Sequence, residues 1–167
     1  MNIVKFTGDK NLDKEFVAAL RKNVTDYFKS NDISIKANVA MVIKSIILIA
    51  VYIVPYIVLL TTPISLLWAL LLVIVMGIGI AGVGMGVMHD ACHGAYSRHE
   101  WVNRLLSGTL YLLGSNVLNW KIQHNVLHHT YTNISGLDED INEKGPIRLS
   151  ENSPLKWYHR YQFIYAF

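Results

Sequence analysis

The sequence predicts an all-α integral membrane protein: a transmembrane helical hairpin with histidine-bearing helices at its cytosolic end. Three observations carry this. Of the 167 residues 52% are hydrophobic, too apolar for an ordinary soluble domain. Two apolar runs are each long enough to span a bilayer. Five of the seven histidines fall in two short clusters behind the second run.

The first run, ANVAMVIKSIILIAVYIVPYIVLL from Ala37, predicts a membrane helix over 39–60. The second, ISLLWALLLVIVMGIGIAGVGMGVM from Ile64 to Met88, predicts another over 64–88. Each exceeds the roughly 20 residues that cross about 30 Å of hydrocarbon at about 1.5 Å per residue. Thr61-Thr62-Pro63 between them is too short for a domain, so both outer ends share one side. Residues 1–38 hold seven Lys or Arg and the segment after Met88 another seven, which puts both in the cytoplasm. The bilayer is the first partner, and the cytoplasmic face of a bacterial inner membrane or the endoplasmic reticulum is the expected location. No cleavable signal peptide is visible in the polar first 36 residues. Cys92 stands alone, as suits a reducing compartment, and a net charge of +3 gives no case for nucleic acid.

Within 1–38, Leu12, Phe16, Leu20, Val24, Tyr27 and Phe28 recur at helical steps among charges, predicting an amphipathic helix packed on the cytosolic body or lying at the interface. Residues 89–167 form the cytosolic or interfacial region. Its Arg104–Trp120 stretch is apolar but interrupted by Gly108, Gly114 and Asn116, and predicts one short buried or interfacial helix; 133–154 reads as a loop. Asn133-Ile134-Ser135 spells a glycosylation acceptor, which a cytosolic loop makes a chance match. GIGIAG at 77–82 spells a dinucleotide-binding turn, yet no strand precedes it. Its glycines lie in an apolar helix, with Gly82 and Gly86 at the spacing that lets helices approach, a face expected to await neighbouring helices.

HDACH at 89–93 and QHNVLHH at 123–129 supply the chemistry. On an α-helix residues four apart differ by about 40°, so His89 with His93, and His124 with His128, can each chelate one ion. His129 lies about 140° from His124, serving a second ion or another face of the same site. Two such clusters at one membrane end suggest a two-metal centre. Imidazole suits zinc, copper, iron or nickel, and one cysteine cannot build a thiolate site. The metalloprotease His-Glu-x-x-His is absent, since position 90 is Asp. Asp90 and Asn125 are candidates for orienting ligand imidazoles. His99 and His159 read as ordinary interfacial histidines, and Trp101, Trp120 and Trp157 as interface aromatics.

His-Asp-x-x-His followed by GAYS, and His-x-x-x-His-His followed by TYTN and Asp138-Glu139-Asp140, resemble the first two histidine boxes of membrane fatty acid desaturases, closest to the front-end, linoleoyl-CoA-like branch. The resemblance implies two non-haem iron ions held by His89, His93, His124, His128 and His129. It implies O₂ as co-substrate, a fatty acyl substrate as acyl-CoA or acyl-lipid, and two electrons, with a cis double bond as product. The 38 residues before the hairpin are too few for a fused cytochrome b5, so an external donor, ferredoxin or cytochrome b5, is expected. Two other classes share the features: a di-iron lipid hydroxylase, which differs in product, and a non-catalytic metal-binding membrane protein. A transporter needs ionisable groups inside its spans, and none lies between Ser45 and Met88.

Five histidines are too few for two iron ions of about four to six ligands each. The fold is therefore expected to be an incomplete di-iron desaturase fold, an N-terminal piece lacking the family's third box, Gln-x-x-His-His. Supplied with iron, O₂ and a donor system, the 167-residue chain should yield no unsaturated acyl chains by mass spectrometry; desaturation at an enzymatic rate would contradict the ligand count.

Overall fold

The computed structural model describes residues 8–142 and 145–166, all helix, turn and irregular segments. The first seven residues of the N-terminal region, with Glu143, Lys144 and Phe167 of the C-terminal one, lie outside the described residues. Helix α1 (Lys10–Ser30) starts at Asp9, whose carboxylate accepts from the amides of Asn11 and Leu12. None of its residues is buried: Leu12, Phe16 and Leu20 are at least half exposed. Its C-terminal turns, at Val24, Thr25 and Phe28, share a groove with Arg98 of the region after the hairpin.

Helices α2 (Val39–Thr61) and α3 (Leu66–Val83) pack side by side. The second helical path continues past Val83 through a π-helical stretch, Gly84–Met88, into α4 (His89–Cys92), giving a mainly apolar path of 27 residues against 23 for α2. Both are long and apolar enough to cross a membrane, and their side chains are largely uncovered, as lipid-facing residues would be. Asn38 caps α2 by accepting from Met41, and Lys44 is the one charged residue within either path before Asp90.

The glycine face is covered within the hairpin and does not wait for other helices. A Cβ on Gly79 would sit 2.7 Å from the Tyr52 amide nitrogen and 2.9 Å from its Cα; one on Gly82 would strike the Leu48 side chain; Gly86 lies under Lys44. Small residues let the two backbones touch, which is how helices associate where lipid removes the hydrophobic drive.

Three short helices replace the single one expected for Arg104–Trp120: α5 (Glu100–Ser107), α6 (Thr109–Leu112) and α7 (Val117–Trp120). The break after α6 is made at Gly114, whose φ of +78° is left-handed. Asn116 then caps α7, accepting from Leu118 and Asn119. The start of α5 before Arg104 was not legible, because its first turn, Glu100-Trp101-Val102-Asn103, mixes polar and apolar residues. Around these helices a small core forms from Met88, Cys92 and Leu110, with Val117 and Trp120 packed against it.

Hydrogen bonds tie the segment after α4 to the end of the hairpin. The Tyr96 hydroxyl donates to Ser45 Oγ at 2.9 Å, the Ala37 amide donates to the Tyr96 carbonyl, and Lys36 donates to the carbonyl of Gly94. The Tyr52 hydroxyl donates to the Leu112 carbonyl at 2.8 Å, so α6 is held to α2 as well.

Replacing these glycines should separate two kinds of contact. Gly79→Ala meets backbone that cannot move and should lower the unfolding midpoint in detergent, by about 1–3 kcal/mol of overpacking. Gly82→Ala meets a leucine tip that can rotate and should cost less. Gly77→Ala, with open space around it, should be neutral or mildly stabilising. Equal effects at all three positions would contradict the packing.

Candidate metal centre

The two histidine clusters sit on helices whose winding is not uniformly α. After α7 the chain runs through a π-helical stretch, Lys121–His128, into the one-turn α8 (His129–Tyr131). A π-helix closes hydrogen bonds from i to i+5, so residues five apart come into line where an α-helix would turn them away. His129 therefore does not face away from His124 as α-helical geometry predicts. Their ring centroids are 5.0 Å apart, the same as for His124 and His128.

All five imidazoles predicted as ligands come together. His89 and His93 are 4.6 Å apart between centroids, His89 and His124 5.1 Å, His93 and His129 4.9 Å. Two sets have ligand atoms all within 4.8 Å of one another: His89, His93 and His124; and His124, His128 and Asp140. Of the other histidines, His99 precedes α5 as its N-cap residue and His159 lies in a separate C-terminal turn.

Carboxylates hold the far side of three rings. His124 Nδ1 lies 2.8 Å from Asp140 Oδ2, His128 Nδ1 2.9 Å from Asp138 Oδ1, and His89 Nδ1 3.3 Å from Asp90 Oδ1. An ionised carboxylate only accepts, so each of these Nδ1 atoms carries a proton, and in the neutral ring that leaves the lone pair on Nε2. His89 Nε2 and His124 Nε2 face each other at 3.2 Å, and with both rings neutral and protonated on Nδ1 no proton lies between them. His93 Nε2 is enclosed and has no partner. Facing lone pairs and an orphaned imidazole nitrogen are what a cation would satisfy, so the donor set fits bound metal.

Asp138 and Asp140 were noticed in the sequence only as an acidic run; their role depends on a turn that periodicity cannot reveal. Asn133 at φ +64° and Gly136 at φ +82° take left-handed conformations, and the Asp138 amide donates back to the Ile134 carbonyl. The chain folds under His128 and buries Asp138 completely. Burial pushes that carboxyl's pKa up, but hydrogen bonds from His128 and from the amides of Asn133 and Asp140, with the His128 charge, outweigh it and leave it below the usual value.

Asp90 holds an imidazole as expected; Asn125 does not. Its Nδ2 donates to the Cys92 carbonyl at 3.2 Å, tying the second cluster to the backbone of the first. Trp120 is not an interface aromatic. Its ring stacks on His124 with centroids 4.4 Å apart and meets His89 and His93 edge-on at 5.7 Å each, walling one side of the cluster. Its position four residues before His124, one α-turn, was the available signal. Burial, and then the neighbouring imidazoles His89, His129 and His124, lower the pKa of His93 against the opposing pull of Asp90.

Comparison with known proteins agrees with this arrangement. Residues 64–167 match the family model described as fatty acid desaturase. The chain is 39% identical over 158 residues to an sn-1 linoleoyl-lipid 6-desaturase of Arthrospira platensis, covering 91% of this chain and 43% of that protein. It is 33% identical over 155 residues to an acyl-lipid (8-3)-desaturase of Physcomitrium patens, with 92% and 32% covered. Against an sn-1 linoleoyl-lipid 6-desaturase of Synechocystis sp. it is 32% identical over 162 residues, with 97% and 44% covered. The chain thus spans less than half the length of these relatives. No solved structure matches it. With the match running from the start of the second apolar run through both histidine clusters, the chain belongs to the fatty acid desaturase family.

Proposed function

We propose that this chain carries the iron-binding histidines of an acyl-lipid desaturase, with His89, His93, His124, His128 and His129 as ligands of a two-iron centre. The observation that carries the reading is the convergence of imidazole lone pairs, with His89 and His124 nitrogens 3.2 Å apart. The substrate class follows the relatives, whose names specify acyl-lipid or linoleoyl-lipid. Bound iron supplies the power to reduce O₂ with two electrons and remove two hydrogens from an unactivated CH₂–CH₂, leaving a cis double bond and water.

The chain's own residues prepare that chemistry. Asp140, Asp138 and Asp90 keep Nδ1 of three imidazoles protonated, so Nε2 stays available and the ring planes stay fixed. Trp120 excludes water from the face it covers. The hairpin brings His89 to the end of an apolar helical path, where an acyl chain leaving the bilayer would meet it. The basic residues at both outer ends favour a cytoplasmic side for that end, which supports an external donor, ferredoxin or cytochrome b5.

Metal occupancy should fall on acidification, because imidazoles must be neutral to ligate. The sign is the same for His93: a folded pKa below the ordinary 6.5 favours the neutral ring in the fold. That contribution is complete above about 6.5 and is lost as pH falls toward the folded value. Asp138, depressed below 3.8, stays ionised throughout, so loss between pH 7 and 5 belongs to the histidines. Iron content after equilibration should drop across this range; a flat profile would rule out histidine ligation. At pH 7, Asp138→Asn and Asp140→Asn should weaken iron or cobalt binding about 10–100-fold in chelator competition.

A chimera tests the reaction. This chain should replace the matching segment of the Arthrospira desaturase, in a host without desaturases and with a donor protein present. Fatty-acid profiling is expected to find a new double bond, abolished by His124→Ala and by omission of the donor from membranes given NADH alone. A hydroxylated product would assign the chain to a hydroxylase instead. A chimera that accumulates in the membrane with iron but makes neither product would end the catalytic reading.

A further inference from the structure

The helical path that carries His89 and His93 ends at Cys92, and its last carbonyls find partners one by one. The His93 amide donates to the His89 carbonyl at 3.1 Å, the Gly94 amide to that of Ala91 at 2.9 Å, and the Ala95 amide to that of Asp90 at 2.9 Å. Gly94 has a φ of +66°, the left-handed conformation that lets a chain fold back over the end of a helix. The next carbonyl in line, that of Cys92, accepts from Asn125 Nδ2 at 3.2 Å, 33 positions further along the chain.

A side chain of the second histidine cluster therefore closes the helix that bears the first. Asn125 follows His124 directly within the π-helical stretch, while Val117 and Trp120 of α7 pack against the core of Met88, Cys92 and Leu110. Apolar packing is non-directional and tolerates small slides between its partners. A hydrogen bond has a preferred length and angle, so the amide is what fixes the register of one cluster on the other. In that register His89 Nε2 and His124 Nε2 stand 3.2 Å apart.

The other end of the same amide gains the fold nothing. Asn125 Oδ1 is enclosed and has no partner, and a buried acceptor left unmade costs stability. For folding alone, an apolar side chain of similar size would serve about as well. What it could not do is hold the Cys92 carbonyl.

We infer that Asn125 is a positioning residue of the metal centre: by closing the end of the helix that carries His89 and His93, it sets where those two imidazoles stand relative to His124, His128 and His129. It acts through the Cys92 backbone and not as a ligand. The inference rests on the reading that the five histidines hold metal.

The test uses the whole chain in nanodiscs of neutral lipid, with and without cobalt(II). Chelator competition gives the cobalt affinity and the visible spectrum reports ligand geometry. Cys92, the single thiol and a buried one, reports the closure without metal through its rate of alkylation. Asn125→Leu exchanges one orphaned acceptor, Oδ1, for another, the Cys92 carbonyl, so the metal-free unfolding midpoint should move little. Cobalt affinity should nevertheless fall about tenfold or more, with an altered spectrum, and Cys92 should be alkylated several-fold faster. Asn125→Gln, which keeps the donor on a longer arm, should recover part of the affinity and the spectrum. The inference is overturned if Asn125→Leu keeps the unsubstituted affinity and spectrum, if its loss of affinity only follows a fall in the metal-free midpoint, if Cys92 is alkylated at the unsubstituted rate, or if Asn125→Gln is no better than Asn125→Leu. A His124→Ala chain that binds cobalt like the unsubstituted one would instead remove the histidine reading itself.

Discussion

The gathering of five imidazoles in one place is the constraint on which the rest of this structure depends. Rings with neighbouring centroids 4.6 to 5.4 Å apart would repel one another if all were charged, so a partly enclosed site of this kind needs either neutral rings or compensating charge. The carboxylates supply compensating charge and favour a proton on Nδ1 of each ring they touch. They lie outside the ring of nitrogens, on the Nδ1 side, so they orient the imidazoles without filling the space the nitrogens enclose.

Much of this was legible in the chain, and the failures have one cause. The hairpin could be read because lipid demands long apolar runs and permits few alternatives. The two histidine clusters could be read because metal chelation demands short spacings. The relation of His129 to His124 could not, since helical-wheel reasoning assumes 3.6 residues per turn and Lys121–His128 is wound more loosely. The two π-helical stretches lie where the chain approaches each histidine cluster, one ending at Met88 beside His89 and the other running through His124 to His128. Such departures are common at functional sites.

Other misreadings came from weighing residues singly. Asp138 and Asp140 became partners of His128 and His124 through a turn that needs left-handed backbone at Asn133 and Gly136, a tertiary event with no period to detect. Trp120 looked like an aromatic at a membrane edge because its neighbours in sequence are apolar, whereas its neighbours in space are histidines. The glycine-rich face was correctly seen as a packing surface but given the wrong partner, because sequence alone does not reveal that the hairpin closes tightly enough to use it.

His89 and His124 are separated by 35 positions along the chain and meet through ring nitrogens that have no hydrogen bond to share when both rings are neutral and protonated on Nδ1. An ion shared between them would act as a cross-link, closing a long loop whose ordering entropy the folded chain otherwise bears alone. Removing that ion restores the repulsion of facing lone pairs and leaves the second cluster held to the first by the Asn125 amide, the ring contacts and the small core of Met88, Cys92, Val117 and Trp120. Metal supply and the lifetime of a protein built this way are in that sense a single variable: under the proposed two-iron reading, a shortage of iron would leave a loosened histidine region that proteases can open.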